Sequence, residues 1–114
     1  MANTFLSQTQ TAVGTSGLNI YTCPSSTQTT IIGLSCANIV TTQVTVDVQL
    51  LAAGRTSGAE DNVFLVKDAP VPVGGSLVVI GGDQKVVMEP GDIIKVICDT
   101  ASGVDVVMSH LDIT

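Results

Sequence analysis

One histidine, three cysteines and ten carboxylates are the side chains of this chain that could carry a proton, hold a metal or attack a substrate. His110 follows Ser109, so a nucleophile type stands beside a base type. Both lie in an alternating run, 103–113, that reads as a strand. Neighbours on a strand point to opposite faces, so this adjacency cannot make a nucleophile–base pair. His110 therefore reads as a strand or interface residue. Cys23, Cys36 and Cys98 are widely spaced and contain no Cys-x-x-Cys, and zinc takes four N or S ligands at closer spacing. Cys36 and Cys98 sit inside apolar runs and read as buried free thiols.

The carboxylates fall mostly in or beside turns: Glu60 and Asp61, Asp68, Asp83, Glu89 and Asp92, and Asp99. There they solvate the turn or accept from backbone amides. The alternating Asp/Asn ladder that ends in Glu in a calcium loop is absent. Val73-Gly74-Gly75-Ser76 and Ile80-Gly81-Gly82-Asp83 lack the lysine spacing and the following helix of a phosphate loop, so they read as β-turns. No catalytic residue, cofactor or metal ligand is assigned, and the expectation is a protein that is not an enzyme.

Charge narrows the partners. The net charge is −6, and Arg55, Lys67, Lys85 and Lys95 are the only basic side chains. Neutralising phosphates needs a basic stripe, so no nucleic-acid partner is expected. No run of about 18 apolar residues is present, so no membrane-spanning helix is expected either. Met-Ala-Asn-Thr-Phe-Leu lacks a basic start and a long apolar stretch, which points to synthesis and folding in a cytosol. Phe5, Tyr21 and Phe64 are too few aromatics to pave a sugar-binding groove.

The elements that must position these residues are strands. Helical periodicity is missing, while period-two alternation recurs. In 43–51, Val44, Val46, Val48 and Leu50 share one face, and Thr45, Asp47 and Gln49 share the other. Further strands are predicted over roughly 4–13, 18–23, 29–40, 62–68, 76–81, 85–88, 92–99 and 103–113. Turn residues separate them, with the longest polar loop at 53–59. Eight or nine short strands in 114 residues predict an all-β chain, an antiparallel β-sandwich of jelly-roll-like form. Residues 1–16 read as an N-terminal arm or edge strand, and 17–114 as one sandwich domain.

Charged residues make up only 12%, about half the usual share. Part of the surface is therefore expected to meet another chain. Strands 76–81 and 92–99 are apolar on both faces and need a second cover, either a folded-over segment or a subunit interface. In 103–113, Val104, Val106 and Met108 share a face that continues as His110 and Asp112, while Leu111 and Ile113 take the other. The apolar side is expected to switch near Ser109, as at a bulge or where the strand leaves its own core. Candidate interface residues are Phe5, Leu6, Ile93, Ile97 and Leu111.

The second half reads Val63-Phe64-Leu65-Val66-Lys67-Asp68, then Ala69-Pro70-Val71-Pro72-Val73-Gly74-Gly75-Ser76-Leu77-Val78-Val79. It continues with Val87-Met88-Glu89-Pro90-Gly91-Asp92-Ile93-Ile94-Lys95-Val96 and ends in Val104-Asp105-Val106-Val107-Met108-Ser109-His110-Leu111-Asp112-Ile113. Tyr21-Thr22-Cys23-Pro24 and Thr29-Thr30-Ile31-Ile32-Gly33-Leu34 fit the same layout. This order resembles the small β-sandwich virion proteins of tailed bacteriophages, over nearly the whole chain past residue 18. The resemblance implies a capsid decoration (cement) protein on the virion surface that bridges neighbouring major capsid subunits. It also implies a homo-oligomer, with a trimer favoured. Sandwiches of this sort serve as neck, tail or fibre-base modules too. A jelly-roll module that binds a host glycan or protein is the reading from another class.

Overall fold

The computed structural model describes residues 2–52, 55 and 61–114. Apart from Arg55, the predicted polar loop 53–59 lies outside the described residues, as does Glu60. Nine strands form among the described residues: β1 (Asn3–Val13), β2 (Leu18–Thr22), β3 (Gln28–Asn38), β4 (Val44–Leu51), β5 (Val63–Val71), β6 (Ser76–Ile80), β7 (Val86–Met88), β8 (Ile93–Cys98) and β9 (Val104–Ile113). The β-branched and alternating segments predicted as strands are strands. The largest departure is β5, which runs on past Asp68 through Pro70 to Val71. A proline is tolerated there because β5 is an edge strand, where a missing N–H breaks no ladder.

All pairings are antiparallel, and they fall into two sheets. The first runs β1-β9-β3-β6, with β7 also on β3; the second runs β2-β8-β4-β5. First strand pairs with last, second with next to last, third with β6 and β7, and fourth with fifth. That is one long antiparallel ribbon wrapped into two layers, the strand order of a jelly roll.

The core lies between the layers. Val44, Val46 and Val48 of β4 and Ile94 and Val96 of β8 are fully buried, facing Ile31, Leu34, Cys36, Val104 and Met108 of the first sheet. Each such side chain contributes about 1.5–3 kcal/mol over exposure. Cys23, Cys36 and Cys98 are free and buried, and burial pushes the Cys36 thiol up to about 12. Gly103 is required by close approach: a Cβ there would fall on the Cys98 sulfur.

One expectation holds only in part: the apolar side chains of β9 change face past Ser109, with Leu111 and Ile113 outside, but the strand itself neither bulges nor leaves the core there. Val104, Val106, Met108, His110 and Asp112 are all buried, in strict alternation. The bulge sits instead in the neighbour β3, between Ile31 and Gly33, opposite His110 and Ser109. It absorbs the irregularity, so β9 keeps its period and delivers two polar side chains to the core.

Candidate functional site

Two features stand out: a polar cluster inside the sandwich, and an uncharged surface outside it that the cluster helps to hold.

The cluster centres on Asp112. Its Oδ1 accepts from Thr29 Oγ1 at 2.7 Å and lies 2.9 Å from His110 Nδ1, and its Oδ2 accepts from Tyr21 Oη at 2.5 Å. Burial pushes the Asp112 carboxyl up, but the hydrogen bonds from Tyr21, Thr29 and His110 outweigh it and hold the group below the usual carboxylate range. Ionised, Asp112 can only accept, so His110 Nδ1 carries a proton and donates. Gln8 Nε2 sits 3.1 Å from His110 Nε2. With its amide nitrogen facing the ring, Gln8 donates and His110 Nε2 accepts. The Tyr21 ring stacks at 4.2 Å from the His110 ring. Burial, then the Asp112 hydrogen bond and charge, push the Tyr21 hydroxyl well above its ordinary range.

This network ties four strands. Gln8 lies on β1, Tyr21 on β2, Thr29 on β3, and His110 and Asp112 on β9. Tyr21 reaches across from the second sheet, so the sandwich is latched at this end. A histidine oriented by a carboxylate has the makings of a general base. Here Nε2 is occupied by Gln8 and the ring is 0% exposed, so in this arrangement it fixes β1 rather than meeting a substrate. No buried side-chain polar atom in the described residues is left without a partner.

A second buried carboxylate anchors the Pro90-Gly91-Asp92 turn. Asp92 is fully buried, and its Oδ2 lies 2.6 Å from Arg55 Nη2 and 3.0 Å from the Glu89 amide. Its hydrogen bond is the main reason the Arg55 guanidinium is held above its usual range. Among the described residues, no three His, Cys, Asp or Glu side chains converge as a metal site requires.

Outside, the pairing registers place side chains in rows across the first sheet. One row is Phe5, Leu111, Thr30 and Val87; the next is Ser7, Ser109 and Gly33; a third is Thr9, Val107, Ser35 and Val78. These rows carry no charge. Phe5 is 74% exposed and Val78 is 65% exposed. The charge at one end of this face, Asp105, is engaged: its Oδ1 accepts from Thr11 Oγ1 and from the Ala12 amide. Two shallow hollows of about 460 and 300 Å³ lie between the rows, one beside Asp105 and one beside Val78.

The charge pattern along the chain explains this face. All ten acidic and four basic side chains lie at or beyond Asp47, so β1 and β3 contribute none. The outer face of the second sheet differs. There Lys67 lies 3.9 Å from Asp47 and 4.9 Å over the Phe64 ring, and Asp47 accepts from the Asp68 amide.

The five predicted interface residues do not form one patch. Phe5 and Leu111 are register partners on the uncharged outer face. Leu6 pairs with His110 on the inward side of β1, at the sandwich margin, and is 42% exposed. Ile93 and Ile97 are half-buried on the opposite, charged sheet, with the turn at Gly17 pressed against Ile97. Val78, Val87 and Val107 complete the uncharged face and were not among the predicted residues. Sequence reasoning missed Gln8, Tyr21 and Asp112 as partners of His110, and Thr29 as a partner of Asp112. Continuing the β9 alternation past Met108 would have placed His110 and Asp112 inside; nothing in the sequence places Gln8 or Tyr21 beside them.

The fold class is therefore an antiparallel jelly-roll sandwich whose first sheet presents an uncharged edge and an outer face whose three central rows carry no charge. Comparisons with protein families, curated proteins and solved structures return no match.

Proposed function

We propose that this chain is a structural assembly protein of a bacteriophage virion, a capsid decoration (cement) protein that bridges neighbouring major capsid subunits. The observation that carries the reading is the uncharged outer face of the first sheet, continuous with the uncharged edge strand β1, on a chain of net charge −6. An acidic protein that gathers its charges elsewhere leaves this face able to lie against another chain at low desolvation cost. Jelly rolls recur in viral capsid and lectin domains, an analogy of fold that supports the reading. The likeness of the 63–113 segment to small virion sandwiches supports the phage assignment.

Cementing works by burying area across a seam and by adding strands to exposed sheet edges. The uncharged outer face supplies the area for such a seam. Quantifying the protein in purified particles tests the proposal. Hundreds of copies spread over the head are expected; six or twelve copies at a single vertex would move the protein to the neck, tail or fibre base.

A further inference from the structure

Strand β1 is an open sheet edge whose free backbone groups can be assigned. The Thr114 amide donates to the Ala2 carbonyl at 3.0 Å, and Asn3 to Gln10 pair without interruption with β9. Antiparallel pairing alternates, so Ala2, Thr4, Leu6, Gln8 and Gln10 turn their N–H and C=O groups toward β9. Asn3, Phe5, Ser7 and Thr9 turn theirs outward.

We propose that this edge pairs with the same edge of a second copy, antiparallel about a two-fold axis at Leu6, joining two first sheets into one continuous sheet. The inference goes beyond the virion reading and does not depend on it. The composition of the edge and the exposure of Phe5 choose a second copy over a foreign strand. A two-fold contact sets a segment against itself, so any charge in it would meet its own kind. Residues 2–13 contain none, although the whole chain carries −6. The register about Leu6 matches Phe5 with Ser7 of the second copy and Asn3 with Thr9, so all four outward residues of each chain find a partner. The same register sets Leu6 directly opposite Leu6 of the second copy and Phe5 diagonal to its counterpart, within side-chain reach. Phe5 is the most exposed large apolar side chain in the described residues, and this pairing covers it.

The edge is also held ready. Gln8 is tied to His110 beneath it, and the bulge at Gln10–Val13, fixed by Asp105, ends the flat segment. Pairing therefore requires little new ordering of the backbone.

Sedimentation of the isolated full chain over a concentration series tests the dimer. The wild type should approach twice its 11.7 kDa mass. Phe5→Glu and Phe5→Lys should each weaken the dimer about tenfold or more, and an equimolar mixture of the two should recover it as a heterodimer. Phe5 is exposed, so circular dichroism should show both variants folded. Leu6→Cys should cross-link to itself under mild oxidation, because directly opposed non-hydrogen-bonded residues have Cα atoms about 4.5 Å apart, within disulfide range. Gln10→Cys should not. A monomer at every concentration, or an oligomer indifferent to Phe5→Glu, would overturn the proposal. Particle counts test the virion reading separately, so each can fail alone.

Discussion

Strands β1 and β5 end the two sheets on opposite layers, and they treat an approaching strand in opposite ways. β5 carries Lys67 and Asp68, holds Asp68 at a positive φ of 52° beside register shifts, and includes Pro70. Charge, a bulge and proline are the usual means of closing an edge to further pairing. β1 spans 11 residues with no charge and no proline, and its one irregularity, Ala12 at φ 57°, lies near its end. The same contrast extends to the outer faces, with charged pairs on the second sheet and hydroxyl and aliphatic rows on the first. One outer face carries charge pairs, and the other is the face proposed above for contact.

The two strands also differ in what stands behind them. A buried carboxylate, Asp112, holds β1 through His110 and Gln8. A part-exposed carboxylate, Asp47, supports β5 through the Asp68 amide and Lys67. Removing each should separate the cases most sharply. Asp112→Ala strands the Tyr21 and Thr29 hydroxyls and the His110 ring, and should cost about 3–5 kcal/mol in urea unfolding. Asp47→Ala should cost about 1 kcal/mol. Similar losses for the two would refute the view that the buried network holds the open edge.

Acid and alkali probe the same network more gently. Asp112 titrates below its unfolded value, so its contribution is complete above about pH 4 and is lost as pH falls through the folded value. The wild-type urea midpoint should drop on acidification more steeply than that of Asp112→Asn. Tyr21 is raised, so its contribution holds below its unfolded value, about 10, and is lost as pH rises. As the only tyrosine, it gives a clean signal: tyrosinate absorbance should appear only together with unfolding. A Tyr21 that ionises in the folded protein near its ordinary value would mean that the latch to Asp112 is open in solution.

The smallest test concerns the two bulges. Both Ala12 in β1 and Asp68 in β5 adopt left-handed backbone, which costs an alanine about 1–2 kcal/mol and an aspartate less. Glycine relieves that cost but loses more unfolded-state entropy. Ala12→Gly should therefore raise stability by up to about 1 kcal/mol, while Asp68→Gly should leave it nearly unchanged. Thermal melts distinguish the two, and no gain on Ala12→Gly would show that its backbone is not strained.

Alternation alone determined much of this molecule. Val44, Val46, Val48 and Leu50 against Thr45, Asp47 and Gln49 specify a strand with one wet face, because a period of two admits no other burial. Turn residues set the strand boundaries in the same local way, and the all-β sandwich follows. The exposed Phe5 could be picked as an unburied apolar side chain on a segment with little else to pack. What alternation could not reveal is which strand lies beside which. Gln8 and His110 are 102 residues apart, and Tyr21 and Asp112 are 91 apart. Only the wrapping of the ribbon brings them together. The bulge in β3 that lets β9 keep its period lies in a different strand from the residues it moves inside. The division of Phe5 and Leu111 from Ile93 and Ile97 likewise depends on sheet membership, since a strand's sequence marks its two faces but not which layer covers either one. Local sterics and burial are written residue by residue, whereas convergence and facing are decided by contacts between segments distant along the chain.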